Sequence, residues 1–247
     1  MLKLLLLLLC LAALWWFVRN DASEYAAFKK LTGTADRQRC YRIWVLKSFL
    51  VFSGATLVCL SVLHRLRTLM YLPIEFFSMN ARLSSLIPAA QMPSSSFLIG
   101  FSCAAVLTGI LLGVVLAKKH KTSHVMLGDI EPLMPRNAAE TGWAALLALN
   151  AGLSEELFFR LLLPLLLVGL LHHPLPAFVI ATILFGLVHI YQGTVGVVFT
   201  TLIGVVFACL YLWTGSLWIV IAAHAGLDLL GLVVRPTIMR ALHRPTA

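Results

Sequence analysis

Long apolar runs separated by short polar segments dominate the 247-residue chain. Runs of spanning length or close to it occupy 2–18, 44–63, 97–117, 142–171, 175–190, 194–213 and 216–234. Each predicts a helix, because lipid offers backbone groups no outside partner and a hydrocarbon core of about 30 Å takes about 20 helical residues. The pattern therefore predicts an all-α fold, a polytopic transmembrane bundle of about seven spanning helices. The 142–171 run would make a helix of about 45 Å, longer than the bilayer core, so it must tilt, kink or protrude, with the break expected at "NAGLSEE", Asn150 to Glu156. The segment 64–95, with Pro73, Pro88 and "LMYLPIEFFSM", reads as an interfacial or re-entrant piece. The 2–18 run after Lys3 has the make-up of a signal peptide or an anchor. Without a small-x-small cleavage site, and with Trp15, Trp16 and Phe17 suited to the interface, a retained anchor is expected.

Composition narrows the picture. At 60% hydrophobic and 12% charged, with a mean hydropathy of +0.94, the chain is too apolar for a soluble core. The net charge of +9 is concentrated in 19–43, 118–136 and the C-terminal tail with Arg235, Arg240 and Arg244. Such a bias toward alternate loops reports topology and contact with anionic lipid rather than nucleic-acid binding. It puts 19–43, 118–141 and the tail in the cytoplasm and the N-terminus outside, in a multi-pass protein assigned to a bacterial inner membrane. The five cysteines, Cys10, Cys40, Cys59, Cys103 and Cys209, have no paired spacing, so neither disulfides nor a thiolate metal site is expected. There is no internal repeat, Gly-rich phosphate loop or soluble domain. The expected organisation is N-terminal helices and loops over 1–141, a core over 142–234 and a basic tail over 235–247.

Candidate chemistry lies inside the apolar runs. "GLSEELFFRLLLPLLL" carries Glu155, Glu156 and Arg160 at membrane depth, where an ionisable group faces a partner, a cavity or a reaction centre. Residues four apart share a helix face and neighbours diverge by about 100°, so Glu156 and Arg160 can pair while Glu155 points elsewhere. In later runs Phe185 shares a face with His189, and His224 with Asp228. Helix rise places Glu155, His189 and His224 at depths where they can meet in one cavity open toward the cytoplasm. A structural reading competes with each: Glu156 and Arg160 can simply hold the bundle, His189 can bond a carbonyl, and Asp228 can serve only to hold His224. His120 and His124, among lysines, and His172 and His173, before Pro174, are read as surface residues.

"EELFFR", "FGLVH" and "HAGLD" follow the patterns EExxxR, FxxxH and HxxxN/D in that order. In this the chain resembles the CAAX protease and bacteriocin-processing family of intramembrane proteases over 142–234. Two departures are Leu161, where the family usually has Gly after the arginine, and Asp228, a permitted variant of Asn. The resemblance implies that Glu155 and His189 activate water and that His224, oriented by Asp228, faces the scissile carbonyl as an oxyanion donor, with Glu156, Arg160 and Phe185 in support. Since an ionised Asp228 cannot donate, it is either protonated or acts only on His224. A zinc reading takes Glu155, His189 and His224 as a His₂Glu set with water in the fourth position. With no HExxH and three separate helices, the cofactor-free mechanism is favoured. The substrate implied is a membrane-anchored protein or peptide: a prenylated C-terminus, a sorting tail or a leader. A non-proteolytic immunity or scaffold protein binding a membrane peptide is the alternative. A transporter ranks third, because the polar residues cluster in the last four helices at mid-depth instead of lining a through-path.

Overall fold

The computed structural model describes residues 1–86 and 129–242. The expected helix at 97–117, residues 118–128 of the basic 118–141 loop, Pro88, Cys103, His120, His124 and Arg244 lie outside the described residues. Among the described residues every regular element is helical. The helices are α1 (Leu2–Val18), α2 (Asp21–Lys29), α3 (Thr34–Ser48), α4 (Ala55–Val62), α5 (Phe77–Leu86), α6 (Ala138–Glu156), α7 (Leu163–Leu171), α8 (Pro174–Leu187), α9 (Gly193–Thr214), α10 (Leu217–Leu229) and α11 (Arg235–Leu242). Among the described residues, four continuous stretches are long and apolar enough to cross a membrane: Leu2–Lys29, Thr34–Val62, Ile190–Thr214 and Leu217–Ala241. The shorter α8 is equally apolar, and the α6–α7 stretch carries the charged motif. This is a helical membrane bundle.

Two expectations about the elements need correction. The segment 19–43 is not a loop, because α2 and the first turns of α3 are helical, with α3 running on through a π-helical stretch (Phe49–Gly54) into α4. Nor does the helix break at "NAGLSEE". It stays α-helical through Glu156 and then widens into a π-helical stretch, Leu157–Leu162, before continuing as α7. One wide turn absorbs a distortion without freeing backbone groups into lipid, and such bulges recur at functional sites. Leu161, where the family pattern has Gly, is fully buried in this stretch.

The core takes Leu6, Leu7 and Cys10 of α1, Phe52, and Cys59 and Leu60 of α4 together with Phe158, Leu162 and Phe185, so the N-terminal helices and the motif-bearing helices share one packed interior. Small residues bring the helices close. A Cβ on Gly152 of α6 would lie 2.6 Å from the backbone nitrogen of Ala225 in α10, and one on Gly186 of α8 would overlap the Thr201 hydroxyl of α9. Close backbone approach at small residues is how membrane helices gain packing without a hydrophobic drive.

The described parts of the basic segments, 19–43, 129–136 and 235–242, converge on one end of the bundle. Buried Arg37 donates from Nε to Glu140 (3.0 Å) and from Nη2 to Tyr41 Oη and the carbonyls of Pro132 and Met134. Arg136 reaches the carbonyls of Leu31 and Thr32, and Arg240 of α11 reaches the Pro135 carbonyl and Thr141 Oγ1. Lys29 pairs with Asp129. At the opposite end the segment from residue 66 forms two 3₁₀ turns (Leu66–Leu69, Ile74–Phe76) and α5. Buried Phe76 packs there, Asn80 donates to the Leu212 carbonyl, and Trp218 donates to the Leu69 carbonyl.

Candidate active site

The Gly152–Ala225 contact presses α6 against α10 one turn before Glu155 and Glu156, and this places the carboxylates opposite His224. The two glutamates diverge as helix geometry requires. Glu156 is fully buried, with Oε2 3.2 Å from Arg160 Nε, which bears out the expected pair. Its other oxygen takes a bond that the sequence did not suggest: Oε1 lies 2.7 Å from His224 Nδ1. Because a carboxylate accepts, Nδ1 carries the proton in this contact. Asp228 stands farther off, its Oδ2 3.7 Å from His224 Nε2, beyond a direct hydrogen bond. The carboxylate that directly holds His224 is thus Glu156, where the expectation was Asp228.

Glu155 turns the other way, toward His189. Its Oε2 is 3.9 Å from His189 Nε2 and has no hydrogen-bond partner among the described residues. His189 Nδ1 is 2.8 Å from the Phe185 carbonyl one turn earlier, and a carbonyl can only accept, so Nδ1 carries the proton. In a neutral ring that leaves the Nε2 lone pair facing Glu155. A gap of 3.9 Å is too long for a direct bond and suits a bridging water. Phe185 is the hub of the arrangement: its ring lies 4.3 Å under the Arg160 guanidinium, 5.1 Å from the His189 ring and 6.0 Å from the His224 ring. It gives the buried cation a π face in low dielectric.

Glu155 and His189 open onto a cavity of about 110 Å³ that extends to Asp21, Tyr25 and Leu133 at the basic end. His224 is not part of its wall, so the expectation that Glu155, His189 and His224 meet in one cavity holds for the first two only. Among the described residues, no group of three His, Cys, Asp or Glu side chains is arranged to hold a metal ion. His172 and His173 are exposed, as expected of surface residues, and His173 caps α8 by accepting from the Leu175 N–H. No motif singles out Tyr191, two residues past His189 and stacked 6.1 Å from its ring, or Phe17, Tyr25, Trp44 and Phe52 in the cavity wall. The sequence signal for Tyr191 is its place two residues after the motif histidine in "VHIYQG". The others sit in helices with no motif.

A membrane-embedded helical bundle with a carboxylate and an imidazole facing each other across a cavity has the constitution of an intramembrane hydrolase site. Residues 137–230 match the model of the Rce1-like family, described as type II CAAX prenyl endopeptidase Rce1-like, and this places that segment in the CAAX protease family. The match covers all three motifs and leaves the N-terminal helices outside it. No curated protein and no solved structure matches the chain.

Proposed function

We propose that the protein is an intramembrane endopeptidase that hydrolyses a peptide bond in a membrane-tethered protein or peptide tail with water activated by Glu155. The carrying observation is the free Oε2 of Glu155, set 3.9 Å from the lone-pair nitrogen of His189 on a cavity wall. Water held between the two attacks the carbonyl carbon as its proton passes to Glu155, and the new C–O bond leaves a negative oxygen on the tetrahedral carbon. Glu155 then returns that proton to the departing amine nitrogen as the C–N bond breaks. Stabilising the oxyanion falls to His224, which lies outside the cavity wall, so in this scheme the scissile carbonyl points beyond the cavity toward α10. Its Nδ1–H is committed to Glu156, so it donates from Nε2 only when both ring nitrogens carry protons, and Asp228 beside Nε2 acts through the ring. No metal takes part in this scheme. The convergence of 19–43, 129–141 and 235–242 on one end supports a cytoplasmic basic end in contact with anionic lipid, with the cavity opening on that side.

The test is processing of a membrane-tethered reporter by wild-type protein and by Glu155→Gln, each washed with chelator. Glu155→Gln keeps shape but removes the basic oxygen, so processing should fall by about 10²-fold or more with thermal stability retained. Full processing by Glu155→Gln would overturn the mechanism and hand the site to a binding or immunity role. Stoichiometric zinc whose removal abolishes wild-type processing would overturn the metal-free scheme.

A further inference from the structure

About half of the wall of the cavity beside Glu155 comes from residues outside the family-matched segment, and its chemistry is specific. Phe17 of α1, Tyr25 of α2, Trp44 of α3, Phe52 and Tyr191 contribute five aromatic rings. Tyr25 and Tyr191 meet edge-on at 5.1 Å, and Phe17 and Phe52 lie 4.8 Å apart. The polar atoms of the wall are largely engaged, the Tyr191 hydroxyl proton excepted. Tyr25 donates to the Asp129 carbonyl, Tyr191 Oη accepts from Gln192, Trp44 Nε1 donates to Glu24, and Ser48 Oγ donates to the Trp44 carbonyl and accepts from Asn150. Asp21 is bound to Lys47, which also serves Glu24, so two carboxylates share one ammonium and the rim keeps a negative excess. What faces a guest is therefore mainly a set of ring faces and edges with one phenol O–H from Tyr191, and Glu155 and His189 are left for the reaction.

Size decides what the guest is. A volume of about 110 Å³ is of the same order as the engineered apolar cavity of about 150 Å³ that holds one benzene, and well below the roughly 300–1,000 Å³ of pockets for larger ligands. It matches one ring-sized group rather than a whole lipid chain. Aromatic rings prefer edge-to-face and offset contacts with other rings, a preference beyond area burial that an aliphatic side chain does not satisfy. We propose that this cavity receives one uncharged aromatic side chain of the peptide next to the scissile bond. The N-terminal helices thereby set side-chain specificity, and any lipid on the substrate stays outside the cavity. This rests on the peptidase reading for the word "scissile" and on the cavity itself for the guest.

Two arms test it. In the first, Glu155→Gln protein in nanodiscs is irradiated with tethered peptides carrying a diazirine-bearing phenylalanine at successive tail positions. Cross-links at one tail position should fall on Phe17, Trp44 or Leu147, and cross-links confined to residues off the cavity wall would overturn the proposal. In the second, otherwise active protein is given reporters with Phe, Leu, Ala or Asp at that position. Wild type should favour Phe over Leu and Ala, with Asp poorest. Ala151→Leu, which fills the cavity, should reduce the Phe-to-Ala preference by about 10-fold or more, and Phe17→Leu should narrow the Phe-to-Leu preference. A wild-type preference for Leu over Phe, or an unchanged order in both variants, sinks the aromatic pocket while leaving hydrolysis standing. Cross-links on the wall with no cleavage of any reporter sink hydrolysis and leave the pocket standing, and failure in both arms sinks both.

Discussion

Two buried arginine–glutamate clusters in this molecule are built from the same residue types and are finished differently. At the basic end, Arg37 and Glu140 are saturated: the guanidinium reaches a carboxylate, a phenol and two carbonyls, and Glu140 takes further bonds from the Arg136 backbone N–H and guanidinium and from the Asn137 side chain. Burial alone would raise the Glu140 carboxyl, but these bonds outweigh it and hold the group below its ordinary range. In the middle of the bundle Arg160 and Glu156 are fully buried too, yet the Arg160 Nη1 and Nη2 groups find no hydrogen-bond partner among the described residues, and next to them Glu155 Oε2 is also left open. Folding alone favours the first arrangement, because an unsatisfied buried polar group costs about 1–3 kcal/mol and more when charged. A cluster that stays unfinished at membrane depth is where a reacting water and substrate can be accommodated.

The sharpest way to break this comparison is to remove one cation from each cluster. Arg160→Met strands Glu156 at zero exposure, and Arg37→Met strands Glu140, so each should cost about 3–5 kcal/mol in a detergent thermal-shift or denaturation measurement. Arg160→Met with Glu156→Gln should regain part of that stability but not reporter processing, because His224 then loses its charged partner. Arg37→Met with Glu140→Gln should regain processing per folded molecule. Equal processing in the two doubles would mean that the clusters do not differ in role. A smaller effect is expected at the helix contact that seats the central cluster. Gly152→Val drives a branched side chain into the Ala225 backbone, an overpacking worth about 1–3 kcal/mol, and it should lower processing more than the stability loss explains, since α6 must move away from His224. The smallest is Tyr41→Phe, which removes one hydroxyl bridging Arg37 and the Leu133 carbonyl, about 0.5–1.5 kcal/mol of stability with processing unchanged.

What the sequence determined was whatever follows from one helix at a time. Apolar run length settles the membrane class, because lipid leaves backbone groups only the helix to satisfy them. The spacing of Glu156 and Arg160 settles their pairing and sends Glu155 to another face, and His189 and Phe185 fall on one face for the same reason. The placing of the basic segments together was legible too, since their charges avoid lipid. The tertiary structure decided matters between helices. That Glu156 rather than Asp228 grips His224 depends on how closely Gly152 lets α10 approach, and a one-dimensional pattern carries no interhelical distance. The 142–171 run stays unbroken because a π-helical turn absorbs the distortion, and its cause lies in packing around Leu157–Leu162. The aromatic wall of Phe17, Tyr25, Trp44 and Phe52 was invisible because a ring's type and position along the chain do not say whether it faces lipid, core or cavity. Only the folded bundle assigns them a side.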